Sequence, residues 1–466
     1  MLFLFACAPS VPDVGDVSTD PPTVALSGPA AIDPLHGAQT WAADTNGTLA
    51  TFEILDASGA LVRTLTDGTW DGRTEDGLLA PIGSYTVHAA IEEGDEDELS
   101  VALVRVGVLS GTFGGPRVPL MWHDGEYWSD DGEATSFSVS TIDAAEAVVP
   151  IPAVWDDLYE PPDSDVDVNL PAAYVYSAKP TLSVVVAGDL AGADLSAAID
   201  GWTLTSGDVT AGGTVTFTRD TALAAGPGVV EAPLTLSWLS GESVVGTQSI
   251  PVRLYALLAE PAFEREGLPY QPWVAVVDPA LRAIQGVDPT EAAVTSGLVE
   301  HIYRDLGLSY DTRWGASAYT LYDGNGFDNA HFDLTSFLER GRGSVVNCTD
   351  CAAILEAFAN MVGATLEYTI ITPGFDLNFI QAIGSDHFSH CPFDGGGCGF
   401  SYHAVTTPDD GGLIYDATLA LDGDADPSST PSEELLVQAI DGEEYLDRLV
   451  QSGRTGYRYT QKETLQ

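Results

Sequence analysis

Apolar residues change their spacing twice along this chain. From Pro29 to about Val108 they come in short runs: Ala50-Thr51-Phe52-Glu53-Ile54-Leu55, Leu61-Val62-Arg63-Thr64-Leu65 and Ser84-Tyr85-Thr86-Val87-His88. Turn residues separate these runs, which is the pattern of β-strands. From Gly111 to about Ala256 similar runs return in Thr181 to Val186, Thr214 to Thr218 and Leu234 to Trp238, predicting a second β-sandwich. After Pro261 the period becomes helical. Asp288-Pro289-Thr290-Glu291 reads as a helix start, and Val294, Leu298, Ile302 and Leu306 follow at one-turn intervals. A short helix is expected from Phe332 to Leu338, and then a second stripe runs through Cys351, Leu355, Phe358 and Val362, with Ala352 and Ala359 beside it, as far as Gly363. Leu366 to Ile371 then reads as a strand, so the last third is α+β.

The start of that second stripe carries the candidate chemistry. Asn347 suits a helix N-cap, Asp350 three residues later suits the capping box, and Cys348 falls on the first helical residue. A cysteine is an effective nucleophile as thiolate, and unpaired N–H groups with the positive dipole end of a helix favour that anion. Downstream the chain supplies His403 and then Asp416. In that order they can serve as base and orienting carboxylate. The bland alternative is a buried structural thiol at Cys348 and a core histidine at His403.

Cys348 through Asp350, Ala352, Leu355 and Ala357 to Gly363, then Leu366 to Ile371, His403-Ala404 and Asp416, resembles the core of the transglutaminase-like superfamily over roughly residues 290 to 425. The resemblance implies a papain-like fold with Cys348, His403 and Asp416 as a catalytic triad. Trp70-Asp71-Gly72-Arg73, Asp76-Gly77, Pro81 and Gly83-Ser84-Tyr85 resemble the Ig-like domain of flagellar hook-capping proteins, which recurs in many bacterial secreted proteins. That likeness implies Trp70 in a core and turns at Gly72, Gly77 and Gly83, and implies no flagellar role. The expected fold is two all-β Ig-like sandwiches followed by an α+β papain-like, transglutaminase-like domain. The expected organisation is a signal and flexible spacer over 1–28, Ig-like modules over 29–110 and 111–256, and the candidate catalytic domain over 257–466.

Charge narrows the partners. With 69 acidic and 17 basic residues the formal net charge is −52, which repels nucleic acid and anionic lipid. No apolar run approaches the about eighteen residues of a membrane helix. Leu4-Phe5-Ala6-Cys7 resembles a bacterial lipobox, so Cys7 is a candidate lipidation site and any membrane contact would be through that N-terminal anchor. The expected setting is the cell envelope or its exterior.

Of the remaining cysteines, Cys391 and Cys398 bracket a glycine-rich segment that a disulfide would pin, and Cys351 belongs to the helix's buried stripe. That segment, with His387 and His390, is expected to cover the cleft. Its histidines and cysteines, taken with His403, match no compact zinc motif.

The chemistry calls for no cofactor. Clustered carboxylates from Asp156 to Asp167 offer a calcium site against the plainer reading of a hydrated loop, and Asp422 to Asp426 reads as a solvated turn because Pro427 stands where a calcium loop needs glycine. The expected function is an exported cysteine hydrolase or acyltransferase acting on a protein or peptide substrate, cell-wall peptide among the candidates. The alternative is an adhesion or scaffold protein that keeps the fold without the activity.

Overall fold

In the computed structural model the described residues are 21–120, 137–138 and 171–465, apart from short internal breaks such as 323–329. Cys7 and the Asp156 to Asp167 segment lie outside them. The architecture is mostly β, in several sheets.

The first module is a five-stranded sheet in the order Ala31–Ile32, Glu96–Leu103, Gly83–Ile91, Leu49–Asp56 and Leu61–Thr64. Alternate residues of these strands, Phe52, Ile54, Tyr85, Val87, Val101 and Leu103, meet Trp41 and Trp70 in one core. Trp70 is fully buried, its indole N–H donates to the Arg73 carbonyl at 2.8 Å, and its ring packs edge-on against Tyr85. Gly72, at φ 73°, is needed because a Cβ there would lie 2.6 Å from the ring of Pro34. Gly83 does not turn the chain; it opens a strand.

One expectation changes here. Val24–Ser27, in the segment read as spacer, pairs antiparallel with Ala42–Thr45. The acidic run after Ile91 supports that pairing as well as turning its own hairpin: the Asp95 and Asp97 carboxylates accept from the Val24 and Leu26 N–H groups at 2.9 and 2.7 Å.

The second module has two sheets. One orders Phe137–Ser138, Arg105–Gly114, Thr181–Asp189 and Thr214–Thr218. The other orders Arg117–Val118, Ala172–Val175, Ser243–Leu257, Gly228–Ser240, Asp194–Ile199 and Trp202–Asp208. Pairing of Arg105 with Asp189 puts the whole strand Arg105–Gly114 in this module, so it begins ahead of residue 111.

The last module holds the helices described in the chain: α1 (Val274–Ala283), α2 (Glu291–Arg304), α3 (Leu334–Leu338), α4 (Cys348–Met361) and α5 (Gly442–Leu449). Its antiparallel sheet runs Ile380–Ala382, Leu413–Asp422, His403–Pro408, Leu366–Thr372 and Tyr457–Gln461, with Glu434–Asp441 also pairing to Leu413–Asp422. Helix α4 packs on the middle strands of this sheet and on α1 and α2. α2 begins where expected, with the Thr290 hydroxyl capping the Ala293 N–H. α1 is an addition that the sequence did not announce, because Val274, Val276 and Val277 are β-branched and Pro279 lies inside the helix.

The second and third modules share a core. Val118, Ala173, Tyr255 and Leu257 of the sandwich pack with α1, α2 and α4. Beside it the Arg253 guanidinium binds Glu231 and Asp278 at 2.9 and 3.0 Å, and Arg282 of α1 binds Asp278 and Glu231 at 2.8 and 2.7 Å. The Leu258 N–H donates to the Val362 carbonyl at 2.8 Å, just past α4. Gly363 follows at φ 97°, where a Cβ would lie 2.3 Å from the Ala259 oxygen, so the helix stops against the segment just past the sandwich's last strand.

Candidate active site

The N-terminus of α4 is held by a reciprocal capping box. The Asn347 side chain accepts from the Asp350 N–H at 3.1 Å, and the Asp350 carboxylate accepts from the Asn347 N–H at 3.2 Å. Asp350 does more than the sequence suggested. Its carboxylate also takes the N–H groups of Ala318, Tyr319 and Thr320 at 2.7, 2.9 and 2.7 Å, which fastens an upstream loop over the helix start. Burial pushes this carboxyl above its ordinary range and the four N–H donors pull the other way. All four partners are donors, an arrangement that suits the ionised form. The Asn347 amide reaches the Gly315 carbonyl at 3.0 Å, and the Thr349 hydroxyl closes on Asn347 at 2.6 Å.

Cys348 therefore stands at the first position of a rigid, buried helix, itself 3% exposed. It packs with Ala352, Tyr368, Ile370 and Ala404, with Tyr402 alongside. Cys351, one turn on, points into the main core, and burial raises its thiol well above the ordinary range. It is inert packing.

His403 opens its strand opposite Ile371, and Asp416 lies on the neighbouring strand. The His403 Nε2–H donates to Asp416 Oδ2 at 2.8 Å, with both side chains fully buried. Since the carboxylate can only accept, Nε2 carries the proton and Nδ1 is the basic atom. Nδ1 has no hydrogen bond among the described residues. Burial opposes protonation of the imidazole, but the Asp416 charge and hydrogen bond, together with the adjacent Cys348 thiol, outweigh it and push the pKa up to about 10. The Thr418 N–H donates to Asp416 Oδ1 at 2.7 Å, and the Tyr445 hydroxyl donates to Oδ2 at 2.8 Å.

Two supports of the imidazole were not read from the sequence. Phe400 lies almost parallel to the His403 ring, at 4.8 Å. Phe393 packs edge-on against Phe400 with centroids 5.8 Å apart, and it sits inside the loop closed by the Cys391–Cys398 disulfide. The loop's link to His403 thus runs through these phenylalanines. His387 is exposed and paired with Asp386, and His390 packs on Phe379. His390, Cys391 and Cys398 do lie close together, but both sulfurs are in the disulfide and offer no thiolate to a metal. The only signal for Phe400 was its place three residues before His403.

Asp422 to Asp426 forms a ladder of Asx turns, in which the Asp424 N–H bonds Asp422 at 3.2 Å and the Asp426 N–H bonds Asp424 at 2.8 Å. Asp422 itself is buried at the strand end, not solvated.

No family model matches the chain, and no curated protein matches it. Among solved structures, it is similar to a red sea bream transglutaminase at 8% identity, over 52% of this chain and 46% of that one, with a TM-score of 0.32. It is also similar to the BSP domain of a biofilm-associated protein at 12% identity, over 49% of this chain and 29% of that one, with a TM-score of 0.15. A third match is the N-terminal eight Ig domains of Down syndrome cell adhesion molecule, at 13% identity, over 51% and 27% of the two chains, with a TM-score of 0.15. The chain spans less than half the length of each. At these scores the likenesses carry no weight for function, and the candidate site rests on its own geometry. No described helix is long and apolar enough to cross a membrane.

Proposed function

We propose that this protein is an exported cysteine hydrolase or acyltransferase of the transglutaminase-like, papain-like kind, acting on peptide or amide bonds. The observation that carries the reading is a thiol at the first residue of a capped helix beside a buried imidazole–carboxylate pair. In this mechanism the proton shared by Cys348 and His403 rests on Nδ1, the state that the raised imidazole pKa favours, and the thiolate attacks the substrate's carbonyl carbon. The negative charge moves to the carbonyl oxygen, where the N–H of Cys348 at the helix start can receive it. As the C–N bond breaks, the amine leaves with the Nδ1 proton and a thioester remains on Cys348. Water, or a second amine, then gives a proton to Nδ1 and adds to the thioester carbonyl. Collapse expels the thiolate and leaves the proton on His403 Nδ1, as at the start. Asp416 keeps Nδ1 as the basic atom and stabilises the imidazolium between these steps.

Hydrolysis is the default outcome, since transfer to an amine requires a site that holds water away from the thioester. The two β modules then serve as a stalk, and a lipid on Cys7 would anchor the chain to the cell envelope. A protein or peptide substrate follows from the chemistry, with cell-wall peptide one member of that class.

A second reading is favoured by one observation: Cys348 is 3% exposed and His403 is fully buried. An adhesion or scaffold protein that keeps the fold without turnover would also bury them. Incubation with iodoacetamide followed by adduct mapping separates the two. The enzyme should label at Cys348 ahead of Cys351 near neutral pH, and equal or absent labelling of Cys348 would favour the scaffold. Comparing amide cleavage with amine incorporation, for the wild type and Cys348→Ala, then assigns the second substrate.

A further inference from the structure

Helix α5 lies after the last triad residue, and both of its ends are tied down. At its start the Asp441 carboxylate accepts the Glu443 and Glu444 N–H groups at 2.9 and 3.4 Å. At its end the Asn378 amide donates to the carbonyls of Asp447, Arg448 and Val450 at 3.4, 3.0 and 3.3 Å, satisfying groups that a helix leaves open. The Arg448 guanidinium reaches back to the carbonyl of Asp422, the last residue of the strand that bears Asp416, at 3.0 Å, and to that of Asp424 just beyond it at 3.2 Å. A helix of only two turns has little stability of its own, so this bracing must hold it in place. Its one fully buried aromatic side chain is Tyr445, whose hydroxyl donates to Asp416 Oδ2, the oxygen that also accepts from His403.

We infer that Tyr445 is a positioning residue of the same site, one that orients Asp416 toward His403 and sets how strongly the carboxylate holds the imidazolium. This rests on the triad reading of Cys348, His403 and Asp416. The Asp416 carboxylate has three donors: the Thr418 N–H on Oδ1, and His403 and Tyr445 sharing Oδ2. With all three in place the carboxylate cannot rotate without breaking two or more hydrogen bonds.

The hydroxyl also points the positive end of its dipole at the charge that His403 feels, so it weakens the pull of Asp416 on the imidazolium. Burial first, and the Asp416 charge second, hold the phenol protonated far above its ordinary range, so it remains a donor throughout the working pH range. The titratable groups facing the pair are the thiols of Cys348 and Cys351 from α4, the phenol of Tyr303 from α2, that of Tyr310 from its short strand, and that of Tyr445.

The test titrates His403 directly, by NMR of 13C-labelled histidine in the full chain carrying Cys348→Ala, with and without Tyr445→Phe. Tyr445→Phe keeps the ring and its packing and removes only the donor, and a thermal melt of each form checks the fold. The expected result is an upward shift of the His403 titration by about half a unit or more, as a carboxylate stripped of one donor holds the cation harder. An unchanged or lowered titration in a folded protein overturns the inference. In the wild-type background the inference also expects kcat to fall several-fold with KM unchanged. The NMR readout does not depend on turnover. Failure of the enzymatic reading, seen as no preferential alkylation of Cys348, is therefore distinguishable from failure of the Tyr445 assignment.

Discussion

Phe400 and His403 stack face to face, their ring planes 9° from parallel. The stack leaves the imidazole one orientation, edge-on to both Asp416 and Cys348. Phe400→Ala is expected to remove this wall and cut kcat by about 10- to 100-fold, the scale on which small displacements act in active sites. Because Phe400 is buried, the same change should cost about 3–5 kcal/mol of stability. Phe400→Leu fills most of the space, and if it restored full activity along with stability, packing alone would explain the residue. Steady-state kinetics beside urea unfolding of both variants decides this.

Asp416→Asn should leave the fold intact while lowering kcat by about 10³- to 10⁴-fold, because an amide permits the unproductive tautomer of His403. The measurement is the hydrolysis rate of an amide substrate. Loss of less than tenfold would remove Asp416 from the mechanism.

The folded-state pKa of His403, about 10, lies above the ordinary 6.5 that it takes in the unfolded chain. A raised pKa means the native state holds the proton more tightly. This contribution to stability is complete below pH about 6.5, declines as pH rises from there, and is gone above about 10. The difference in melting temperature between wild type and His403→Gln should therefore narrow across that interval. A difference independent of pH would show that His403 is neutral in the fold.

Asp350→Ala would leave the N–H groups of Asn347, Ala318, Tyr319 and Thr320 without their shared acceptor. The expected cost is about 3–5 kcal/mol, since several buried donors lose a charged partner together. Hydrogen exchange should rise at residues 318–320 and at the first turn of α4. Exchange confined to the loop would mean that the helix start is held independently.

The domain starting at residue 257 should not fold without the sandwich before it. Its core includes Val118, Ala173 and Tyr255, and its α1 carries half of the Arg253, Glu231, Asp278 and Arg282 network. Expression of 257–466 is expected to yield aggregate or a broad, low melting transition, whereas 105–466 should be monodisperse with a cooperative melt. A well-folded short fragment would contradict the shared core.

What could be read from the chain was local. Asn347 and Asp350 announce a capped helix because both partners lie within one turn, and the stripe from Cys351 to Val362 gives its buried face. Trp70 and its neighbouring glycines likewise describe a turn-rich core over a short stretch. Features set by distant contacts stayed hidden. α1 is helical against its β-branched residues and Pro279 because it is buried between α4 and the sandwich, where tertiary packing overrides propensity. Asp350 reaches residues some thirty positions upstream, and Tyr445 meets Asp416 across twenty-nine, spacings that carry no periodic mark. The strand at Val24–Ser27 escaped for a related reason: its N–H groups are held by Asp95 and Asp97, 71 positions downstream.

α4 has its two ends on different parts of the molecule. Cys348 begins it against His403, and after Met361 the Val362 carbonyl is bonded to Leu258, just past the last strand of the sandwich, with Gly363 closing the seam. A helix of 14 residues is about 21 Å long. A tilt of a few degrees at the sandwich end would swing the sulfur by about an ångström relative to His403, which is held by a different layer. The helix is thus a lever that carries the position of the sandwich to the Cys348 sulfur.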